Sequence, residues 1–137
     1  MKYLHETHGP MVALIPQSID AAGNATGGYQ SVEGRTWYSF LVSLGAVAAG
    51  KSIKVELMGA DNAQGTKATV LGAITYTAPT GGVESRMVVV CAEAEDAAPY
   101  VAVKVTNSGA AAVLASALFV GETTWHPDGE DRTVLVV

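Results

Sequence analysis

The feature that most limits the possible folds is a repeated alternation of short apolar runs with turns rich in Gly, Pro and Asn. Residues 52–58, SIKVELM, alternate most cleanly, with Ile53, Val55 and Leu57 predicted to face a core and polar residues between them. This pattern is typical of an antiparallel strand with one buried face. No long amphipathic segment of helical period occurs, so the sequence predicts an all-β fold.

Further strands are predicted on both sides of this one. In residues 36–44, Tyr38, Phe40, Val42 and Leu44 share one face of a strand. The other predicted strands, separated by turn residues, are 11–16, 67–78, 85–92, 100–107, 112–122 and 132–137. About eight strands at this spacing are typical of an antiparallel β-sandwich or barrel.

Three local features carry more specific expectations. Residues 85–92 are almost wholly apolar, which predicts a strand covered on both faces with Cys91 as an unreactive core residue. Gly72 interrupts a strand and predicts a bulge or a bend. Asp61 and Asn62 begin a polar turn, in which we expect their side chains to bind the backbone.

The chain has 137 residues, and we expect one domain spanning 1–137. Residues 1–10 and 121–137 contain all three histidines and are predicted to be extended arms or edge segments. Only 15% of the residues are charged, against about 25% in typical soluble domains. A partner is therefore expected to cover part of the surface.

The charge and the apolar runs exclude several classes of partner. The net charge of −5 argues against nucleic acid, which binds clustered basic residues. No apolar run approaches the roughly 18 residues of a membrane helix, and the N-terminus lacks the pattern of a signal peptide. The single cysteine allows no internal disulfide, so the cytoplasm is the expected site of synthesis.

The titratable residues do not form a recognisable reaction centre. His5 and His8 precede a Gly-Pro pair, and His126 lies far along the chain, so we predict no metal site. The acidic residues cluster in turn-like sequence at 93–96 and 128–131, which is typical of solvated loops. We therefore expect no catalytic residue, no cofactor and no enzymatic activity.

Two tryptophans suggest a binding surface. Trp37 lies on the opposite face of its strand from Tyr38 and Phe40, where it either contacts a partner or fills a second side of the sandwich. Trp125 lies outside the predicted core strands. With apolar residues of the two arms, the predicted partner interface comprises Tyr3, Leu4, Trp37, Trp125, Leu135 and Val136.

Three segments carry a resemblance to a known family: VELMGADNAQGT (55–66), PYVAVKVTNSG (99–109) and LASALFVGETTW (114–125). Together they resemble the capsid decoration, or cement, proteins of tailed bacteriophages. The resemblance covers a little over half of the chain, and its motifs are structural ones: strands of alternating Val and turns containing Gly.

The resemblance implies a jelly-roll-like sandwich and a structural role in the virion. Such a protein stabilises the capsid from its outer surface by bridging subunits of the major capsid protein, and it associates with itself as a dimer or trimer. The family has no catalytic residues to carry over to this chain. The alternative is a carbohydrate-binding or tail-associated sandwich, for which Tyr29, Trp37 and Trp125 would be candidate ligand-stacking residues.

Overall fold

The computed structural model describes residues 8–122, which form two antiparallel sheets packed face to face. The strands are β1 (Met11–Ile19), β2 (Asn24–Thr26), β3 (Gln30–Ser31), β4 (Trp37–Leu44), β5 (Ser52–Ala60), β6 (Thr69–Thr77), β7 (Arg86–Glu93), β8 (Tyr100–Asn107) and β9 (Val113–Val120). No helix occurs in this part of the chain. The all-β prediction is therefore confirmed.

The strand order defines a jelly-roll-like β-sandwich. The first sheet has the order β1-β9-β4-β7, and the second has β2-β8-β5-β6, with β3 also pairing with β8. The chain passes between the sheets after β1, β3, β4, β6, β7 and β8, so the two layers are built together. The predicted antiparallel sandwich is confirmed, while the predicted strand at 132–137 and most of both arms lie outside the described residues.

The core follows from the period-two alternation in the strands. Tyr38, Phe40, Val42 and Leu44 of β4 are all buried, as predicted. The rings of Tyr38 and Phe40 pack with the ring of Phe119 in β9. The ring centroid of Phe119 is 5.1 Å from that of Phe40 and 5.8 Å from that of Tyr38. Alternate residues of the facing sheet complete the core; from β5 and β8 these are Ile53, Val55, Leu57, Val101, Val103 and Val105.

The prediction for residues 85–92 is wrong in its burial. β7 is the edge strand of the first sheet, and Met87 and Val89 are exposed. Cys91 is also exposed rather than a core residue, with the Ser39 hydroxyl donating to its sulfur at 3.2 Å. The apolar run looks doubly buried in the sequence, but no element within residues 8–122 covers its outer face.

The predicted irregularity at Gly72 is confirmed as a bulge. Gly72 pairs with Leu57, but the next partners are Val70 and Met58, so Leu71 is an extra residue in β6. A Cβ added at Gly59 would lie 2.9 Å from the Leu71 side chain. The missing side chain at Gly59 therefore leaves the space that Leu71 occupies.

The polar turn after β5 is stabilised mainly by Asn62. Its Oδ1 accepts hydrogen bonds from the backbone N–H groups of Gln64 at 3.0 Å and Thr66 at 3.2 Å. The Asp61 carboxylate instead faces the Lys67 ammonium at 3.9 Å. The predicted role of Asn62 is confirmed, and the side chain of Asp61 forms an exposed ion pair rather than a backbone contact.

Two side chains tie distant parts of the chain together. The amide of Asn107, which is buried, donates to the carbonyl oxygens of Ile19, Asp20 and Ala111 at 3.1, 3.3 and 2.8 Å. Its Oδ1 accepts from the Gly109 N–H at 2.9 Å. Asn107 thereby joins the end of β1 to the turn between β8 and β9.

Arg35 makes the equivalent tie near the two ends of the described chain. Its guanidinium donates to the carbonyl oxygens of His8, Gly9 and Gly121, at 3.1, 3.3 and 2.8 Å respectively. The same group lies over the Phe119 ring, 4.7 Å from its centroid. The Gly121 N–H also donates to the His8 carbonyl at 2.9 Å. The segments before β1 and after β9 are therefore held side by side.

Candidate interaction surface

One of the six residues predicted for a partner interface lies in the described part of the chain, and that residue is Trp37. It is half-buried at the start of β4, on the outer face of the first sheet, so it does not fill the sandwich core. Its ring is tilted against His8 at 5.6 Å between centroids, and its Nε1 donates to the Glu122 carboxylate at 3.1 Å. The other predicted interface residues, Tyr3, Leu4, Trp125, Leu135 and Val136, lie outside the described residues.

The strand register places an apolar row across the whole outer face of the first sheet. Val12 pairs with Leu118, Leu118 with Leu41, and Leu41 with Val89, so one such residue comes from each of the four strands. Val12 and Leu118 are each 45% exposed and Val89 is 51% exposed, while Leu41 is half-buried between them. The row is therefore apolar from one edge of the sheet to the other.

Further exposed apolar side chains enlarge this row. Leu114 is 64% exposed and Ile15 is 72% exposed, and Met87 adds to the patch from β7. We call these residues together the outer apolar face: Val12, Ile15, Leu41, Met87, Val89, Leu114 and Leu118. The four strands of the sheet carry charged residues only at the two ends of β7, Arg86 and Glu93.

The outer face of the second sheet is chemically different. Glu56 pairs across the sheet with Lys104, and Lys54 pairs with Thr106. The Lys54 ammonium also lies 3.7 Å from the Glu56 carboxylate. The outer face of the second sheet thus carries charged residues, although Glu56 among them is buried, whereas the outer face of the first sheet is apolar and exposed. Contiguous exposed apolar surface is typical of an interaction site.

A polar cleft of about 450 Å³ lies at the end of the sandwich near β3 and the start of β8. Its lining includes the carboxylates of Glu33, Glu95 and Asp96, the half-buried Tyr100, and Arg35. The nearby Tyr38 has a pKa raised above the usual value of 10.0, first by burial and then by the negative charge of Glu95. Acidic, basic and aromatic residues therefore line the same cleft.

The described residues contain no group of three or more His, Cys, Asp or Glu side chains arranged to hold a metal ion. Within the same residues, no helix is long and apolar enough to cross a membrane.

Tyr29, one of the aromatic residues predicted as a candidate for sugar stacking, packs against the backbone of the polar turn. Its ring is so close to Gly65 that a Cβ added there would lie 2.7 Å from it.

The outer apolar face was missed by sequence reasoning, although a signal for it exists. β7 and β9 are apolar on both faces, whereas β5 alternates. Doubly apolar strands predict burial on both sides, and in residues 8–122 the sandwich covers only one of them. The apolar side that stays uncovered forms the outer apolar face.

Structural comparison finds similar sandwiches in proteins of several kinds. PBSX exported protein XepA aligns over 100% of this chain and 44% of its own, with a TM-score of 0.59 and 12% identity. The Clostridium thermocellum xylanase 10B fragment with CBM22-1 and GH10 modules, complexed with xylohexaose, aligns over 98% of this chain and 28% of its own, with a TM-score of 0.56 and 13% identity.

A third similar structure is the enzymatically active domain of tailspike protein 4 of bacteriophage CBA120. It aligns over 84% of this chain and 19% of its own, with a TM-score of 0.50 and 9% identity. The chain thus spans less than half the length of each of these three structures, and identities this low show the shared fold alone. No protein-family model matches the sequence, and no curated protein matches it in sequence.

Proposed function

We propose that this protein is a structural virion protein that decorates the capsid of a tailed bacteriophage and stabilises it by bridging subunits of the major capsid protein. The observation that carries this proposal is the outer apolar face, which spans all four strands of the first sheet. In this role the protein acts at the outer surface of the virion after synthesis in the host cytoplasm. It uses no cofactor and catalyses no reaction.

The physical reason is that such a role requires broad adhesion rather than a reaction centre. Burying apolar surface contributes about 25 cal/mol per Å², so a face of exposed Leu, Val, Met and Ile side chains is a source of binding free energy. Because no charged side chain interrupts that face between the ends of β7, docking it would leave few ionic groups desolvated. The polar face of the second sheet would remain in water.

The position of the resembling segments supports the same role. Residues 114–125 include β9, which lies inside the first sheet and contributes Leu114 and Leu118 to the outer apolar face. The segment that resembles the decoration proteins therefore supplies part of the proposed adhesive surface. The fold also occurs in a bacteriophage tailspike, which is consistent with a tail location as the variant of this proposal.

We further propose that the protein forms a homodimer or homotrimer on the shell. A closed oligomer places several copies of the outer apolar face toward the capsid at once, and linked contacts bind more tightly than single ones. The major capsid protein and a second copy of this chain are the proposed partners.

The proposal can be tested by mixing purified protein with phage shells that lack decoration and measuring co-sedimentation. The unmodified protein is expected to sediment with the shells, and Leu118→Lys is expected to lose binding, because it places a charge in the centre of the outer apolar face. Thr75→Lys is the matched control, since Thr75 is exposed and pairs with Lys54 on the outer face of the second sheet. Equal sedimentation of the two variants, or none for the unmodified protein, would contradict the proposal.

A carbohydrate-binding role is the second candidate. It is favoured by the polar cleft, whose lining includes Tyr100 and the acidic residues Glu33, Glu95 and Asp96. A sugar could stack on the phenol ring while its hydroxyls donate to Glu33 and Glu95. Binding on a glycan array that is lost in Tyr100→Ala but kept in Leu118→Lys would favour this function. No binding to any glycan would exclude it for the glycans on the array.

A further inference from the structure

Within residues 8–122 three of the four sheet edges carry features that hinder pairing with another strand. β1 contains Pro16 and two register irregularities against β9. At the edge formed by β2 and β3, these strands have only three and two residues. β6 contains the bulge at Leu71. Proline, bulges and short length are devices by which natural proteins keep an edge strand from pairing with another chain.

β7, the fourth edge, carries none of these features. All of its residues pair with β4 in one unbroken register, and no strand within residues 8–122 pairs with its outer side. It contains no proline, and its two charged residues, Arg86 and Glu93, lie at its ends. A regular edge with an uncharged, apolar middle is the kind that pairs with a further strand.

The backbone groups of this edge can be assigned to particular residues. The Ala94 N–H donates to the Thr36 carbonyl at 3.0 Å, which makes these two residues a hydrogen-bonded pair that continues the β4–β7 ladder. Such pairs alternate with non-hydrogen-bonded pairs in an antiparallel ladder. The even-numbered residues of β7 therefore bond to β4, while Met87, Val89 and Cys91 direct their N–H and C=O groups away from the sheet.

We propose that β7 pairs with β7 of a second copy as an antiparallel strand, across a two-fold axis perpendicular to the first sheet, with Val89 opposite Val89 of the second copy. This inference rests on the self-association proposed above and specifies a dimer. Met87 of each copy then lies opposite Cys91 of the other. Each hydrogen-bonded pair exchanges two backbone bonds, so these three pairs supply about six.

The symmetry fits both the backbone and the outer apolar face. Pairing Val89 with itself matches odd-numbered residues with odd-numbered residues, which are those that direct their backbone groups outward. The axis also keeps both outer faces on the same side, so the row of Val12, Leu118, Leu41 and Val89 continues in reverse order through the second copy. The dimer thereby presents one continuous apolar surface to the proposed capsid partner.

The charges of β7 also favour an antiparallel second copy. In the proposed register the Arg86 end of each strand lies beside the Glu93 end of the other, at both ends of the ladder. Parallel pairing would instead bring Arg86 beside Arg86 and Glu93 beside Glu93. Like charges on neighbouring strands are destabilising, so the strand is self-complementary in the antiparallel direction alone.

The same pairing extends the apolar layer above a part of the core that is open in one copy. A cleft of about 340 Å³ lies between β6 and β7, and its lining includes Val55, Ile74 and Val90. Ile74 pairs with Val55 on the inner face of the second sheet, yet it is 52% exposed. Val88 of the second copy would lie opposite Val90 on the inner face, beside this opening.

Cysteine cross-linking tests the pairing in the absence of any capsid. Met87→Cys places a thiol opposite Cys91 of the second copy, with Cα atoms about 5.5 Å apart, which a disulfide can bridge. Within one chain residues 87 and 91 are about 13 Å apart along the strand, which is too far. Oxidation with copper phenanthroline is therefore expected to give a covalent dimer joined between residues 87 and 91, identified by peptide mass spectrometry.

The unmodified protein should stay unlinked, because the two copies of Cys91 would lie about 14 Å apart. Leu114→Cys is the matched control: Leu114 lies on the same outer face and is 64% exposed, but it belongs to β9, inside the sheet. The proposal is overturned if Met87→Cys gives no covalent dimer. It is also overturned if Leu114→Cys is linked as fast, since that would assign the contact to stacked outer faces. Circular dichroism of each reduced variant confirms folding before oxidation.

A second pair of variants separates this inference from the capsid role. Val89→Lys places two like charges opposite each other and is expected to convert the dimer to a monomer in analytical ultracentrifugation. Leu118→Lys should remain a dimer while losing shell binding. A monomeric unmodified protein, or a dimer that persists in Val89→Lys, would overturn the β7 pairing. A dimer that fails to sediment with shells would support the pairing and contradict the capsid role alone.

Discussion

Replacement of Asn107 by alanine tests how the sandwich is held together away from its apolar core. The change removes three hydrogen bonds donated to carbonyl oxygens and one accepted from the Gly109 N–H. Four bonds at a net contribution of about 0.5–1.5 kcal/mol each give roughly 2–6 kcal/mol. We expect a loss of about 2–4 kcal/mol, because water reaches the carbonyls of exposed Asp20 and Ala111. Because whole domains are stable by about 5–15 kcal/mol, this is a large fraction of the total.

The assay is equilibrium urea unfolding followed by tryptophan fluorescence and circular dichroism. Asn107→Ala is expected to lower the midpoint at unchanged slope, because the folded state keeps its compactness. Ser108→Ala is the control: Ser108 is the exposed neighbouring residue, and its substitution should change the free energy of unfolding by less than about 0.5 kcal/mol. Asn107→Asp should destabilise more than alanine, because a buried carboxylate would face three carbonyl oxygens.

A loss below about 0.5 kcal/mol in Asn107→Ala would refute the reasoning, since the amide would then contribute no more than a surface residue. So would equal stability of the aspartate variant and the unmodified protein.

Three further predictions concern the same fold. Arg35→Ala should lower the free energy of unfolding by about 2 kcal/mol, and Arg35→Lys should restore only part of it in urea melts, because a lysine lacks the planar fork that reaches three carbonyls. Gly27→Ala should cost about 1–3 kcal/mol in the same assay, since the added Cβ would lie 2.3 Å from the Ala13 carbonyl oxygen. The raised pKa of Tyr38 means that the folded state holds the phenol proton more tightly than the unfolded chain. The contribution of Tyr38 to the free energy of unfolding should therefore be constant below pH 10 and fall above it, as measured by urea midpoints against pH. The fall in stability above pH 10 should be less steep in Tyr38→Phe.

The inner faces of the central strands could be predicted from the sequence because alternation identifies them directly. Phe40 and Val55 lie in strands whose opposite face is less apolar, so their direction follows from the period of two. β2 and β3 could not be predicted, because they are short and polar and form only by pairing with β8. Their existence depends on a strand roughly 70–80 residues away in the chain.

The candidate surface could not be assembled from sequence for a related reason. Alternation along β4 puts Leu41 on the same face as Trp37, but its neighbours Leu118 and Val89 come from strands distant in the chain. Their alignment is a property of the register, which the sequence pattern of a doubly apolar strand leaves open. The same ambiguity produced the wrong expectation that Cys91 is buried.

The most direct test of the account is a cryo-electron microscopy map of the assembled particle at a resolution that shows side chains. We expect Leu41, Leu118 and Val89 to lie in contact with the major capsid protein and Lys54 and Lys104 to face the solvent. A map in which the second sheet faces the capsid while the outer apolar face lies in water, or in which the protein is absent from the particle, would contradict it.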